Sequence, residues 1–381
     1  MGTLSLARRA RLGTLLALSA CSAAEESGLA GTPGGADTSG SAPAAGAAAP
    51  VPDGAPAGAP APGSAPEGEG LDVGGNGAPQ GPPLEPGTLT AGVWDDNRNF
   101  DFFLAYRDAL YDSQRAGLLP FTQADHRAAY ERFSLRREAK QTLDVSLVID
   151  TTGSMGDEIR YLQAEFIALS SWIFQRYPRA EQRWSLVLYR DVTDSYVVRA
   201  FDFRSDPAEF QLKLDEQFAD EGGDYPEAPD QALAKLSELS WRSEPSTARV
   251  AFWVADAPHH AENAPALAAA VHALGARDVH VYPVASSGVD ELTELSMRQV
   301  AQLSGGRYLF LTDDSGVGGA HKEPTIPCYF VTRLDDAIAR MVDIELSGMY
   351  REPLATEVVR SSGVLQDGRC AVDSGQNVLV Y

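Results

Sequence analysis

Five apolar runs of strand length most constrain how this 381-residue chain can fold: LDVSLVID (143–150), RWSLVLYR (183–190), ARVAFWVAD (248–256), DVHVYPVA (278–285) and GRYLFL (306–311). Helical spacing fills the intervals. In the first interval Ile159, Leu162, Phe166, Leu169 and Ile173 recur every three or four residues. APDQALAKLSEL (228–239), APALAAAVHALGA (264–276) and RLDDAIARMVDIEL (333–346) continue the pattern. Strands that are apolar without alternation are buried on both faces, and helices must then cover both. The alternation predicts an α/β, Rossmann-like domain over 142–348, with a mostly parallel central sheet and helices on both faces. SYVVRAFDF (195–203) reads as an additional edge or hairpin strand.

The flanks have other compositions. Arg8, Arg9 and Arg11 precede LGTLLALSA (12–20), which is too short to span a bilayer. Leu18-Ser19-Ala20-Cys21 resembles the lipobox of bacterial lipoproteins. That resemblance implies a signal peptide over 1–20, lipid on Cys21 and attachment to a cell envelope. Ser22, where an inner-membrane retention signal has aspartate, implies the outer membrane, facing the periplasm or the surface. Residues 21–88 are rich in Ala, Pro and Gly and predict a disordered tether.

Residues 89–141 read as a helical N-terminal extension. Leu89–Val93 is a short strand in it, and Phe100, Phe103, Leu104 and Leu110 share one helix face. Asp95, Asn97 and Asn99 have the spacing of a calcium loop, but Phe100 stands where that loop needs glycine and Tyr106 where it needs glutamate, so a turn and helix cap is the simpler account. The tail, 349–381, ends in NVLVY and suggests a closing hairpin. In an exported chain Cys328 and Cys370 predict a disulfide, two separately buried thiols being the alternative. With 53 acidic against 31 basic residues, a formal charge of −22 and no basic stripe beyond the N-terminus, nothing resembles a nucleic-acid footprint.

Open parallel sheets bind ligands beyond the carboxyl ends of their strands. Asp150 ends the first apolar run, with Thr152 and Ser154 in the turn after it. Asp256 ends the third, and Gly222-Gly223-Asp224 forms a turn ahead of a helix. These loops can aim oxygen donors at one point, a set that suits magnesium, manganese or calcium, with magnesium first. Two uncharged hydroxyls leave such an ion electrophilic toward an outside carboxylate. The same residue types also cap strand–helix turns without binding anything. A phosphate cradle would need a lysine that this turn lacks, and TGSMG does not fit a nucleophile elbow. His259 and His260 follow Asp256 and read as rim residues of an exposed loop rather than a catalytic pair. The long connection 311–331 offers a second cation site at Asp313, Asp314 and His321; a glycine-rich turn tied by Cys328 is the plainer account.

Asp150-Thr151-Thr152-Gly153-Ser154 resembles the Asp-x-Ser/Thr-x-Ser motif that opens the metal-ion-dependent adhesion site (MIDAS) of von Willebrand factor type A (vWA) domains. Asp256 matches that site's third segment, and the resemblance covers about Thr142 to Gly348. It implies a Rossmann-like domain that binds protein ligands through a divalent cation. Many members supply threonine from the second loop, where GGDYPE here supplies Asp224. With YRD (189–191) and ADAP (255–258), this is similar to the A domains of hemicentin and of alpha-kinase-associated proteins. Direct ligation by Asp224 stays open, and Asp191 and Glu227 are outer-shell candidates. The resemblance implies a non-enzymatic, membrane-anchored module that captures a carboxylate of a protein partner. The alternatives are a metal-assisted hydrolase and a structural envelope module.

Overall fold

The computed structural model describes residues 86–94, 116–134, 138–223, 225–324, 326, 328–366, 369–371 and 377–379. The signal-like segment, Cys21, nearly all of the Ala/Pro/Gly-rich stretch, the Asp95–Asn99 series, the Phe100 helix and Asp224 lie outside the described residues.

The strands are β1 (Thr90–Trp94), β2 (Thr142–Asp150), β3 (Glu181–Tyr189), β4 (Val198–Arg204), β5 (Thr247–Ala255), β6 (Val279–Ala285), β7 (Tyr308–Leu311), β8 (Tyr329–Arg333) and β9 (Arg360–Ser362). Among the described residues they form one nine-stranded sheet in the order β4-β3-β2-β5-β6-β7-β1-β8-β9. The middle run from β3 to β7 is parallel. The remaining pairings are antiparallel: β4 on β3, β1 on both β7 and β8, and β9 on β8. The sheet is therefore mixed, and a mostly parallel arrangement describes only its central five strands. The difference comes from β1, which enters from far upstream and pairs Ala91 with Leu311 on one side and with Thr332 on the other.

Seven helices are described: α1 (Gln123–Ser134), α2 (Gly156–Arg176), α3 (Pro207–Asp215), α4 (Pro229–Glu238), α5 (Ala264–Ala276), α6 (Glu291–Ser304) and α7 (Leu334–Ser347). Strand side chains alternate between faces. Leu147 and Ile149 join Val250, Phe252 and Val254 in a core with Ile159, Phe166 and Ile173 of α2 and Met341 of α7. Val148, Ala251 and Trp253 point the other way, toward Leu233 of α4, Leu267 of α5 and Val300 of α6. Both faces are covered, so these strands are apolar throughout.

Beyond the large sheet, β10 (Val364–Gln366), β11 (Arg369–Ala371) and β12 (Asn377–Leu379) make a small antiparallel sheet. A disulfide joins Cys370 of β11 to Cys328, just before β8, with Cα atoms 5.9 Å apart. No helix among the described residues is long and apolar enough to cross a membrane.

Candidate functional site

β2 and β5 are neighbours, but the helices that follow them lie on opposite faces, α2 against one core and α5 against the other. The loops after the two strands therefore diverge, which leaves a crevice at the carboxyl end of the sheet. Asp150 is the last residue of β2 and Asp256 follows the end of β5.

β2 contains two buried aspartates with opposite surroundings. Near its start, Asp144 accepts from Arg183 Nε at 2.9 Å and Nη2 at 2.6 Å, and from Arg242 Nη1 at 3.0 Å and its backbone N–H at 2.8 Å. Its charge is fully compensated. At the other end, Asp150 Oδ1 accepts from the Thr152 N–H at 3.0 Å and the Thr152 hydroxyl at 2.7 Å, while Oδ2 is buried with no partner. Burial, and then the charge of Asp256, push the Asp150 carboxyl up to about 7. Asp256 is raised by burial as well, with Ser154 pulling the other way, and its Oδ1 also lacks a partner. Thr152 Oγ1 lies 3.5 Å from Ser154 Oγ. Asp256, Thr152 and Ser154 thus line one crevice, with Asp150 buried against Thr152 and no positive charge among the four.

The loop ahead of α4 closes one side. Asp220 N–H donates to Thr151 O at 3.1 Å, and Gly153 N–H donates to Glu221 O at 3.1 Å. This close approach depends on glycine twice. A Cβ on Gly153 would sit 2.9 Å from Glu221 O, and one on Gly222, at φ +75°, would sit 3.0 Å from Thr152 Cβ. Farther along, Glu227 N–H donates to Pro258 O at 2.9 Å, which stitches this loop to the one after β5.

Glu227 lines the crevice, is 3% exposed and leaves Oε2 without a partner. Burial, together with the charges of Asp150 and Asp191, raises its carboxyl to about 9. Asp191 is buried beneath His260, whose Nε2 is 2.5 Å from Asp191 Oδ1. His259 corrects the picture of an exposed loop: it is 2% exposed, and its Nε2 lies 2.8 Å from Gly117 O. The segment before α1 covers it, and burial lowers its pKa.

The crevice has a volume of about 720 Å³ and is lined by Thr152, Ser154, Glu227 and Asp256, together with Tyr225 and Ser287. The sequence pattern did not single out the last two, nor Glu158. That carboxylate is buried in the first turn of α2 and accepts from Ser287 Oγ at 2.7 Å. Its position two residues into α2 was the available signal. Asp313, Asp314 and His321 do not converge. His321 Nδ1 is 2.8 Å from Asp313 Oδ1, whereas both oxygens of Asp314 accept from Arg360 Nε at 2.9 Å.

Among the described residues, no three His, Cys, Asp or Glu side chains are grouped to hold a metal ion. The donors here are Asp256, Thr152 and Ser154 on the crevice wall and Asp150 buried against Thr152, all oxygen, a chemistry suited to a hard cation rather than to zinc or copper.

No known protein family's profile matches the chain. It is 26% identical over 123 residues to alpha-protein kinase vwkA of Dictyostelium discoideum, a match covering 32% of this chain and 19% of that protein. The match thus spans about a fifth of that relative's length.

Proposed function

We propose that this chain is a binding module of the vWA kind, which holds a divalent cation through Asp150, Thr152, Ser154 and Asp256 and captures a carboxylate of a partner protein through it. The observation that carries the proposal is the pair of buried carboxylate oxygens, Asp150 Oδ2 and Asp256 Oδ1, left without partners at adjacent strand ends. A buried, unpaired carboxylate is costly, and a cation is the group that compensates two of them together. Magnesium keeps several waters and takes few carboxylates, so it suits this sparse set best. Glu227 and Asp191 would act from behind the ligands, and Asp224 would complete the second loop. The likeness over 123 residues to a protein named as an alpha-protein kinase is compatible with the sequence resemblance to alpha-kinase-associated A domains. Lipid on Cys21 would place the module at a cell envelope, most simply the outer membrane.

The test is calorimetric titration of magnesium, manganese and calcium into the purified chain, alongside Asp150→Ala and Asp256→Ala. We expect saturable one-site binding that both substitutions abolish. A folded wild-type chain that takes up none of the three ions would sink the proposal. A cation that binds and raises the melting temperature without aiding capture of any carboxylate-bearing protein would reduce the site to a structural one.

A further inference from the structure

The segment that joins α3 to α4, which lines the crevice through Glu221, Gly222, Gly223, Tyr225 and Glu227, forms a rim that is one-sided in charge. Between Leu214 and Glu227 the sequence carries Asp215, Glu216, Asp220, Glu221, Asp224 and Glu227 with no lysine or arginine. Asp215, Glu216, Asp220 and Glu221 are exposed, and Asp194 on the neighbouring loop is half-buried. The two loops hold each other, with Gly222 N–H donating to Asp194 Oδ1 at 3.4 Å and Ser195 N–H to Glu221 Oε2 at 2.9 Å. Two of these acids already have basic partners. Arg190 is buried and pairs with Glu221 at 2.5 Å, and Lys213 pairs with Glu216 at 2.9 Å. Three large apolar side chains stand out from the same loops: Val192, Phe218 and Tyr225, 51%, 55% and 45% exposed. Glu227, buried and lining the crevice, points to a ligand independently, because its Oε2 has no partner.

We infer that this rim selects a basic polypeptide segment, one in which lysine and arginine flank the carboxylate that enters the crevice. The inference rests on the proposed cation site for the carboxylate's role, but the rim's preference stands on its own charges. An acidic ligand meets like charge along this segment, whereas a basic one is drawn to it. Arginine and lysine can also lay their stems on Phe218 and their charged heads over the face of Tyr225. Exposed apolar groups set among carboxylates fit such side chains and do not fit an anionic or purely apolar partner.

Two labelled synthetic peptides test this by anisotropy in saturating manganese: acetyl-Lys-Arg-Asp-Arg-Lys-amide and acetyl-Ser-Gly-Asp-Gly-Ser-amide. The basic probe should bind at least roughly 10-fold more tightly at about 50 mM salt, and the gap should shrink at about 500 mM as screening grows. The triple variant Asp215→Asn/Glu216→Gln/Asp220→Asn, which spares every proposed metal ligand, should keep manganese binding and lose most of that preference. Equal binding of the two probes, or a triple variant with its preference intact, would overturn the inference. The two proposals fail separately. A wild-type chain that takes up no manganese yet prefers the basic probe supports the rim while ending the cation site. A chain that takes up manganese and shows no preference does the opposite.

Discussion

Glu165, on the face of α2 toward the start of β1, shows how a buried carboxylate can serve the backbone instead of a ligand. Its Oε1 accepts from the Gly87 N–H at 2.6 Å and the Thr88 N–H at 3.2 Å, while Oε2 has no partner. Burial raises its pKa from 4.5 to about 7, the Gly87 bond offsets part of that, and the charge of Asp335 adds to it. The unfolded chain therefore ionises this group first. Its contribution is fully present below the unfolded pKa near 4.5 and is lost as pH rises through about 7. Glu165→Gln keeps the acceptor and removes the titration. Relative to the variant, the wild type should lose roughly 2 kcal/mol between these pH values, after allowance for solvent screening. Urea melts of both proteins across that range would show it, and parallel curves would refute the assignment. The same contrast between satisfied and unsatisfied acids decides what could be read from sequence at the site. Asp150, Thr152, Ser154 and Asp256 end or follow strands, so the ends of the apolar runs and the motif located them. Glu158 and Ser287 meet only through folding, and the burial of His259 depends on Gly117, more than a hundred residues upstream.

At the scale of elements, α2, α4, α5 and α7 are read from the spacing of their apolar residues, whereas α3 and α6 are not. α3 has only nine residues, and its start is fixed by Asp206, whose Oδ1 accepts from the Ala208 N–H at 2.9 Å. α6 does turn Leu292, Leu295, Val300 and Leu303 to one side, but polar residues fill the spaces between them, and those are buried as well. The connection from β7 to β8 forms one wall of the crevice through Gly319 and Ala320, and the ties that hold it include the Asp314–Arg360 pair, the bond from Gly288 N–H to Ala320 O and the Cys328–Cys370 disulfide. The disulfide closes a separation of 42 residues, for which chain entropy assigns about 4 kcal/mol. Cys370→Ser should lower stability by up to about that amount. Hydrogen exchange should rise first in β10 to β12, whose three short strands add little core of their own. Uniform protection in the variant would contradict this. On the other wall, Gly222→Ala forces a left-handed backbone on alanine and presses Cβ against Thr152. It should cost about 1 kcal/mol and weaken cation uptake, which melting and titration of one sample can separate.

At the scale of the whole molecule, the parallel centre was legible because its strands are apolar runs, seven to nine residues long in β2, β3, β5 and β6, separated by helical or hairpin patterns. Of the antiparallel half, β4 was legible as an edge or hairpin strand and β1 as a short strand, but the partners of β1 were not. β1 is five residues long, TAGVW, and its partners lie more than two hundred positions away: Trp94 opposite Tyr308, Thr90 opposite Arg333. No local pattern announces so distant a pairing. It follows that the stretch from Thr142 to Gly348, which contains every proposed metal ligand, is not a complete sheet. Without β1, the edges of β7 and β8 lose the strand that bridges them, Leu89, Ala91 and Val93 leave the core beside α7, and the backbone groups of both strands are bared. β8 loses β9 as well, since Arg360 to Ser362 lie beyond that stretch. A chain restricted to 142–348 should therefore aggregate or melt without a cooperative transition, and should take up no cation even though its ligands are intact. A chain running from Pro86 to Tyr381 should melt cooperatively and match the full-length protein in titration. Circular dichroism melts and sedimentation of the two would decide between them. A cooperative, monomeric 142–348 fragment would mean that β1 decorates the sheet rather than completing it.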